Sequence, residues 1–204
     1  MNQKPRLEAG KYFHIYNRGN NGQNIFFDHE NYIFFLNRYD QYLSAFCDTI
    51  AWVLLKNHFH LLIYVKPAEE INIEKLQYTA TEKPKKIDIH LQFGHFFNSY
   101  AKAINKRYHR TGSLLEKNFE RKEVSSTAYF KKLIHYIHFN PVRHGFSEHA
   151  WDYPWSSYKS IISHKPTKLN RKFVYELFKN EEEFKLYHAE NKDYSEINEF
   201  IIEF

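Results

Sequence analysis

The chain has 204 residues, 43% of them hydrophobic, and a formal net charge of +5. That length suits one well-buried domain with a small appendage. A single cysteine, Cys47, excludes an internal disulfide framework and fits a reducing cytoplasm. The absence of an N-terminal apolar segment or a long apolar run argues against secretion and membrane spanning.

Charge is unevenly spread. From Glu181 to Phe204 eight acidic residues face two lysines, so residues 1–180 carry +11. Basic residues crowd between Lys102 and Lys122, namely Lys102, Lys106, Arg107, Arg110, Lys117, Arg121 and Lys122. A basic body followed by an acidic tail favours a nucleic-acid partner over a merely solvated face. The 16 Tyr, 19 Phe and 3 Trp supply a core, and flat surfaces for base stacking second.

In chain order, Lys11–Asn17 alternates in β-formers and predicts a first strand, broken by Arg18-Gly-Asn-Asn-Gly22. His29–Phe46 has near-helical apolar spacing. Thr49–Leu55 and His58–Val65 read as strands joined at Lys56-Asn57. Residues 67–88 are polar, with weak periodicity, and read as a loop or mobile insertion. Ile89–His109 is an amphipathic helix ended by Thr111-Gly112-Ser113. Asn118–Val124 is a fourth strand. A third helix, capped by Ser125 or Ser126, runs from Thr127 to about Phe139, where Pro141 is expected to stop it. Trp151–Tyr158 is an irregular aromatic segment that reads as packing rather than base stacking. One or two helices are expected between 168 and 204, and no internal repeat is found. The order β-α-β-β-α-β-α predicts an α+β, ferredoxin-like split β-α-β fold: a four-stranded antiparallel sheet with two helices on one face. The other face must be covered, and the third helix is the natural cover. Residues 1–160 are expected to form the main domain and 161–204 a partly acidic helical extension.

His58-Phe59-His60 places two imidazoles on one face of a strand, with Phe59, Leu61, Ile63 and Val65 on the other. Such a pair is either two ready metal ligands or two hydrogen-bonded core histidines. On the third helix, Tyr136 and Asn140 stand four apart on one face, beside an apolar stripe of Leu133, Ile134 and Ile137. The Asn140 carbonyl oxygen would suit Mg²⁺ or Mn²⁺ as a third ligand. Asn140 reads equally as a helix C-terminal residue, and Tyr136 as a half-buried helix tyrosine.

Four stretches are carried together in order over about residues 10–160: Tyr16-Asn-Arg-Gly19 with Ile25-Phe26, Asn57-His-Phe-His60, Arg110-Thr-Gly-Ser-Leu114, and Tyr136-Ile-His-Phe-Asn140-Pro-Val-Arg-His-Gly145 with Asp152-Tyr-Pro-Trp-Ser-Ser-Tyr158. In these the chain resembles the single-tyrosine HUH transposases, most of all the REP-associated tyrosine transposase group of the IS200-like family. The resemblance implies that His58 and His60 are metal ligands, Asn140 the third protein ligand and Tyr136 the nucleophile. It further implies cleavage of single-stranded DNA beside an imperfect hairpin, a 5′-phosphotyrosine link, a free 3′-OH, rejoining by the reverse attack, and Mg²⁺ or Mn²⁺ as the cofactor. Lys102, Lys106, Arg107, Arg110, Arg121 and Lys122 would contact phosphates, and Arg18, Asn20 and Asn21 are candidates for reading a guide sequence. The resemblance implies a monomer or a homodimer, since some relatives are dimers with the tyrosine helix reaching the partner's metal site while REP-associated members can act as monomers. The short link from Val124 to Thr127 favours a site assembled within one chain. A cytoplasmic, nucleoid-associated location follows from such a substrate.

A phenol is a weak nucleophile at neutral pH without activation, which the metal would supply. No Walker-type phosphate loop is present, and none is needed when a covalent link conserves the phosphodiester. Adjacent helix positions point about 100° apart, so neither His135 nor His138 shares the direction of Tyr136, and both are expected to be dispensable. Two other readings stand beside this one. A domesticated hairpin-binding protein without cleavage would have no need of the four site residues together. A water-using metal hydrolase would need carboxylates near the pair, for which Asp40 and Asp48 are poorly located.

Overall fold

A computed structural model describes residues 4–71 and 88–200 of the chain. Strands β1 (Tyr12–Arg18), β2 (Cys47–Leu54), β3 (His58–Val65) and β4 (Glu120–Val124) form an antiparallel sheet in the order β2-β3-β1-β4. Helices α1 (His29–Leu43) and α2 (Ile89–Arg107) pack on each other and on one face of the sheet. Helix α3 (Thr127–Arg143) crosses the opposite face, against β2 and β3. This is the expected split β-α-β arrangement.

Strand alternation divides the apolar residues into two cores. Phe13 and Ile15 of β1 and Phe59, Leu61, Ile63 and Val65 of β3 join Phe35, Phe96 and Tyr100 from α1 and α2. Burying each such side chain contributes about 1.5–3 kcal/mol. Leu62 and Val53 face the other way, onto Leu133, Ile134 and Ile137 of α3. Asp28 and Asp88 cap α1 and α2 by accepting from backbone N–H groups of their first turns. Ser126 stands at the N-cap of α3, but its side chain makes no capping hydrogen bond.

Pro141 does not stop α3, which continues to Arg143. A proline removes one backbone donor, and here tertiary packing carries the helix past that loss. Gly145 ends the helix at φ +69°. Its N–H donates to the Val142 carbonyl, and Phe146 N–H donates to Pro141 O, 2.8 Å away, closing a Schellman motif. The extra turn carries Arg143 and His144 onto the same side as Tyr136 and Asn140.

The stretch read as a loop opens with a 3₁₀ turn at Ala68–Glu70, and residues 72–87 lie outside the described residues. Trp151–Tyr158 packs, as expected. Trp155 stacks on Tyr32 at 4.4 Å, and its carbonyl accepts from Leu54 N–H. Helices α4 (Tyr158–Ile162), α5 (Arg171–Phe178) and α6 (Glu181–Ala189) and a 3₁₀ turn at Ser195–Phe200 follow. They bury Ile161, Val174, Phe178, Phe184 and Ile197 in the same core as α3. No described helix is long and apolar enough to cross a membrane.

Candidate active site

Antiparallel register sets Arg18 opposite His58, Tyr16 opposite His60 and His14 opposite Leu62, so these side chains share the face under α3. His58 and His60 are both buried there. From α3, Tyr136 lies edge-on to His60, with ring centroids 5.5 Å apart, and the Asn140 Oδ1 comes within 3.1 Å of His58 Nε2. The two halves of the predicted site, 82 residues apart between His58 and Asn140, meet within one chain.

Protonation is constrained at His58. Burial lowers its pKa to about 4, against an opposing contribution from Asn140, so the ring is neutral near pH 7 and carries one proton. Nδ1 lies 2.8 Å from Asn57 Oδ1, an acceptor, and takes that proton as donor. The Nε2 lone pair then faces the Asn140 oxygen, while Asn140 Nδ2 is buried without a hydrogen-bond partner. Two lone pairs turned toward one another are what a shared cation rewards. The 3.1 Å spacing also fits, because ~2.1 Å bonds at right angles separate ligand atoms by ~3.0 Å. Asn140, His58 and His60 therefore suit a hard or borderline divalent ion. Among the described residues no cluster of three His, Cys, Asp or Glu offers a metal site, so a protein-bound ion on this face would have to draw on the Asn140 carboxamide as well as the two imidazoles.

His60 is held from behind. Its Nδ1 lies 3.0 Å from His14 Nε2, the two rings stack at 5.1 Å, and both are fully buried. Burial lowers His14 to about 3 and, with the neighbouring His14, pushes His60 well below the ordinary imidazole range. On the outer side His144 lies edge-on to His58 at 5.0 Å, and the exposed Arg143 guanidinium sits 5.4 Å from the Tyr136 ring. Tyr136 itself is fully buried, and Tyr194, ahead of the last 3₁₀ turn, packs on it at 5.6 Å. His14, Arg143, His144 and Tyr194 were not singled out from sequence. The alternation Tyr12-His14-Tyr16, and the positions seven and eight residues beyond Tyr136, were the available signals.

His135 and His138 turn toward the C-terminal helices. His188 Nδ1–H donates to Phe184 O, so its Nε2 accepts from His138 Nδ1–H at 2.9 Å. His138 Nε2 must then accept from the Ser157 hydroxyl, whose oxygen accepts from Trp52 N–H. His135 donates from Nε2 to Glu190 O and accepts at Nδ1 from Tyr194 O–H. Every polar atom in this chain has its partner, which makes it a tie between α3, α6 and β2.

The predicted basic residues are dispersed. Lys102 and Lys106 are exposed on α2, on the layer away from α3. Arg107 pairs with Asp28 and Glu30, and Arg110 donates to Gln23. Arg121 donates to Pro5 O on the α2 side, while its neighbour Lys122 stands opposite His14 on the face under α3. Arg18 pairs with Glu116 at the end of β1, across from His58. Asn20 and Asn21 lie in a 3₁₀ turn tied down by Asn20 N–H donating to Leu114 O.

A solved REP-associated tyrosine transposase bound to a REP hairpin superimposes with a TM-score of 0.60, covering 81% of this chain and 89% of that one at 15% identity. The fold is that of a REP-associated tyrosine transposase. In sequence, a Haemophilus influenzae protein described as a REP-associated tyrosine transposase is 23% identical over 111 residues. That match spans 54% of this chain and 58% of the relative. No protein-family model matches the chain. The motif resemblance and both likenesses point to the same group.

Proposed function

We propose that the chain is a divalent-metal-dependent enzyme that nicks and rejoins single-stranded DNA at hairpin-associated sites, with Tyr136 as nucleophile. The observation that carries this is the meeting, within one chain, of Tyr136 and Asn140 on α3 with His58 and His60 on β3. His58 Nε2, His60 Nε2 and Asn140 Oδ1 would hold Mg²⁺ or Mn²⁺. When bound, that ion polarises the scissile phosphate and offsets charge growing on its oxygens.

The chain's own residues do the rest. Tyr136 Oη attacks phosphorus in line and forms the phosphotyrosine bond. The bond to the departing 3′-oxygen breaks, the phenolic proton leaves to solvent, and the 3′-oxygen takes up a proton to become a free 3′-OH. Attack by a 3′-OH on the phosphotyrosine reverses the step, so no external energy source is needed. Burial keeps His58 and His60 neutral and able to present lone pairs. Arg143, exposed beside the Tyr136 ring, offers a bidentate partner for the incoming phosphate. Arg18 and Lys122, on the same face, add positive charge for the DNA backbone.

The test is incubation with hairpin-bearing single-stranded DNA in Mn²⁺, in Mg²⁺ and in chelator. A denaturation-resistant protein–DNA adduct is expected that needs metal and is lost in Tyr136→Phe and Asn140→Ala. Cleavage surviving Tyr136→Phe would shift the assignment to a water-using hydrolase. Hairpin binding without any adduct, in either metal, would shift it to a DNA-binding protein that does not cut.

A further inference from the structure

We infer that His14 is a positioning residue that fixes the tautomer of His60, and so decides whether His60 can ligate a metal. The inference rests on the metal-site reading above and goes a step behind it. His60 Nδ1 and His14 Nε2 are 3.0 Å apart, and the stacked rings leave one proton to serve that contact. Both rings are fully buried, and one proton shared across a 3.0 Å contact between two uncharged imidazoles allows two arrangements. In one, His60 Nδ1–H donates to His14 Nε2, and His60 Nε2 is a bare lone pair. In the other, His14 Nε2–H donates to His60 Nδ1, and His60 keeps its proton on Nε2, where it blocks coordination.

In the first arrangement, the one we assign, His14 is the acceptor that holds His60 in its metal-competent form, the part a carboxylate or carbonyl usually takes behind a ligating imidazole. Its place on β1 makes it suited to this. Alternation along β1 puts it on the same face as His60, and the β1–β3 register sets it two residues from Tyr16, the residue opposite His60, so that the two rings meet diagonally. Because it is fully buried, water does not compete for the contact. His58 is treated differently: its Nδ1–H goes to the neighbouring Asn57. The two ligands of one motif thus have two different supports, and only that of His60 is itself a titratable ring with two tautomers.

The direct test is a long-range ¹H–¹⁵N correlation spectrum of the metal-free wild-type protein. Expected is a protonated His60 Nδ1 and an unprotonated Nε2. A protonated His60 Nε2 overturns the inference. The second arm measures Mn²⁺ affinity by calorimetry for the wild type, His14→Gln and His14→Phe, with circular dichroism to establish folding. Gln carries its amide oxygen about as far along the side chain as imidazole Nε2 and should keep affinity within a few-fold. Phe offers no acceptor and should weaken it by about 10–100-fold, the usual effect of losing an outer partner. A folded His14→Phe that binds Mn²⁺ like the wild type overturns the role of His14 alone. A wild type that binds no Mn²⁺ overturns the metal-site reading itself.

Discussion

Six histidines are buried among the described residues: His14, His58, His60, His135, His138 and His188. Burial is the first cause of a lowered pKa in each, to about 3 for His14 and His138 and about 4 for His58 and His135, with His60 and His188 also well below the ordinary value. A depressed imidazole pKa means the unfolded chain takes up protons first. Little is lost above about pH 7.5, where both states are neutral, and stability falls as pH drops through the unfolded value of ~6.5 toward the folded values. At pH 5.5 each fully depressed histidine costs about 1.4 kcal/mol, or on the order of 8 kcal/mol for six. A domain of this kind has about 5–15 kcal/mol in all, so cooperative acid unfolding is expected between about pH 5 and 6. The assay is urea unfolding followed by tryptophan fluorescence at pH 8, 7, 6 and 5.5, in chelator so that metal linkage plays no part. The expected signature is a stability that drops by only about 1 kcal/mol from pH 8 to 7 and then falls with a slope of several protons. A stability unchanged between pH 7 and 5.5 would refute the reasoning, because six buried neutral imidazoles cannot then be resisting protonation.

Three further outcomes follow from single contacts. Ser157→Ala strands Trp52 N–H and His138 Nε2 in the core, and should cost about 1–3 kcal/mol in denaturant unfolding without altering Mn²⁺ affinity. Gly19→Ala would put a Cβ 1.8 Å from the Gln23 carbonyl oxygen. Backbone must move, and a melting-temperature loss equivalent to about 1–3 kcal/mol or more is expected. Because Gly19 N–H also donates to Asn57 O beside His58, Mn²⁺ affinity should fall with it. Arg143→Ala removes the cation beside the Tyr136 ring, and from that contact alone single-turnover nicking should slow about two- to fivefold at saturating metal. An unchanged rate would leave Arg143 without a part in the reaction.

Local periodicity carried much of this structure. The alternation of β1 and β3 and the apolar spacing of α1 to α3 gave the element order, and that order admits few topologies. The His58–His60 face was equally legible, because a strand leaves no other arrangement. Pro141 misled because its effect on a helix is local, whereas the α3 terminus is set by Gly145 and the bonds that close around it. The basic run at 102–122 was legible as charge but not as geometry. Sequence shows charge but not partners, and Arg107 is engaged by Asp28 and Glu30 through α1–α2 packing, 79 and 77 residues away. Adjacent Arg121 and Lys122 necessarily face opposite sides of β4, so a linear cluster of charge need not be a patch.

The same distinction explains why His14 escaped notice while Asn140 did not. Asn140 stands one turn from Tyr136, so helix geometry alone links them. His14 is joined to His60 only through the pairing of β1 with β3, a register that the two strands' alternation permits but does not select. Ligands can be read from spacing along one element; the groups that orient them lie across elements, where registry and packing decide. A His14→Phe protein that keeps its fold yet binds Mn²⁺ about 10–100-fold more weakly would show that the proposed site depends on the second kind of residue as well as the first.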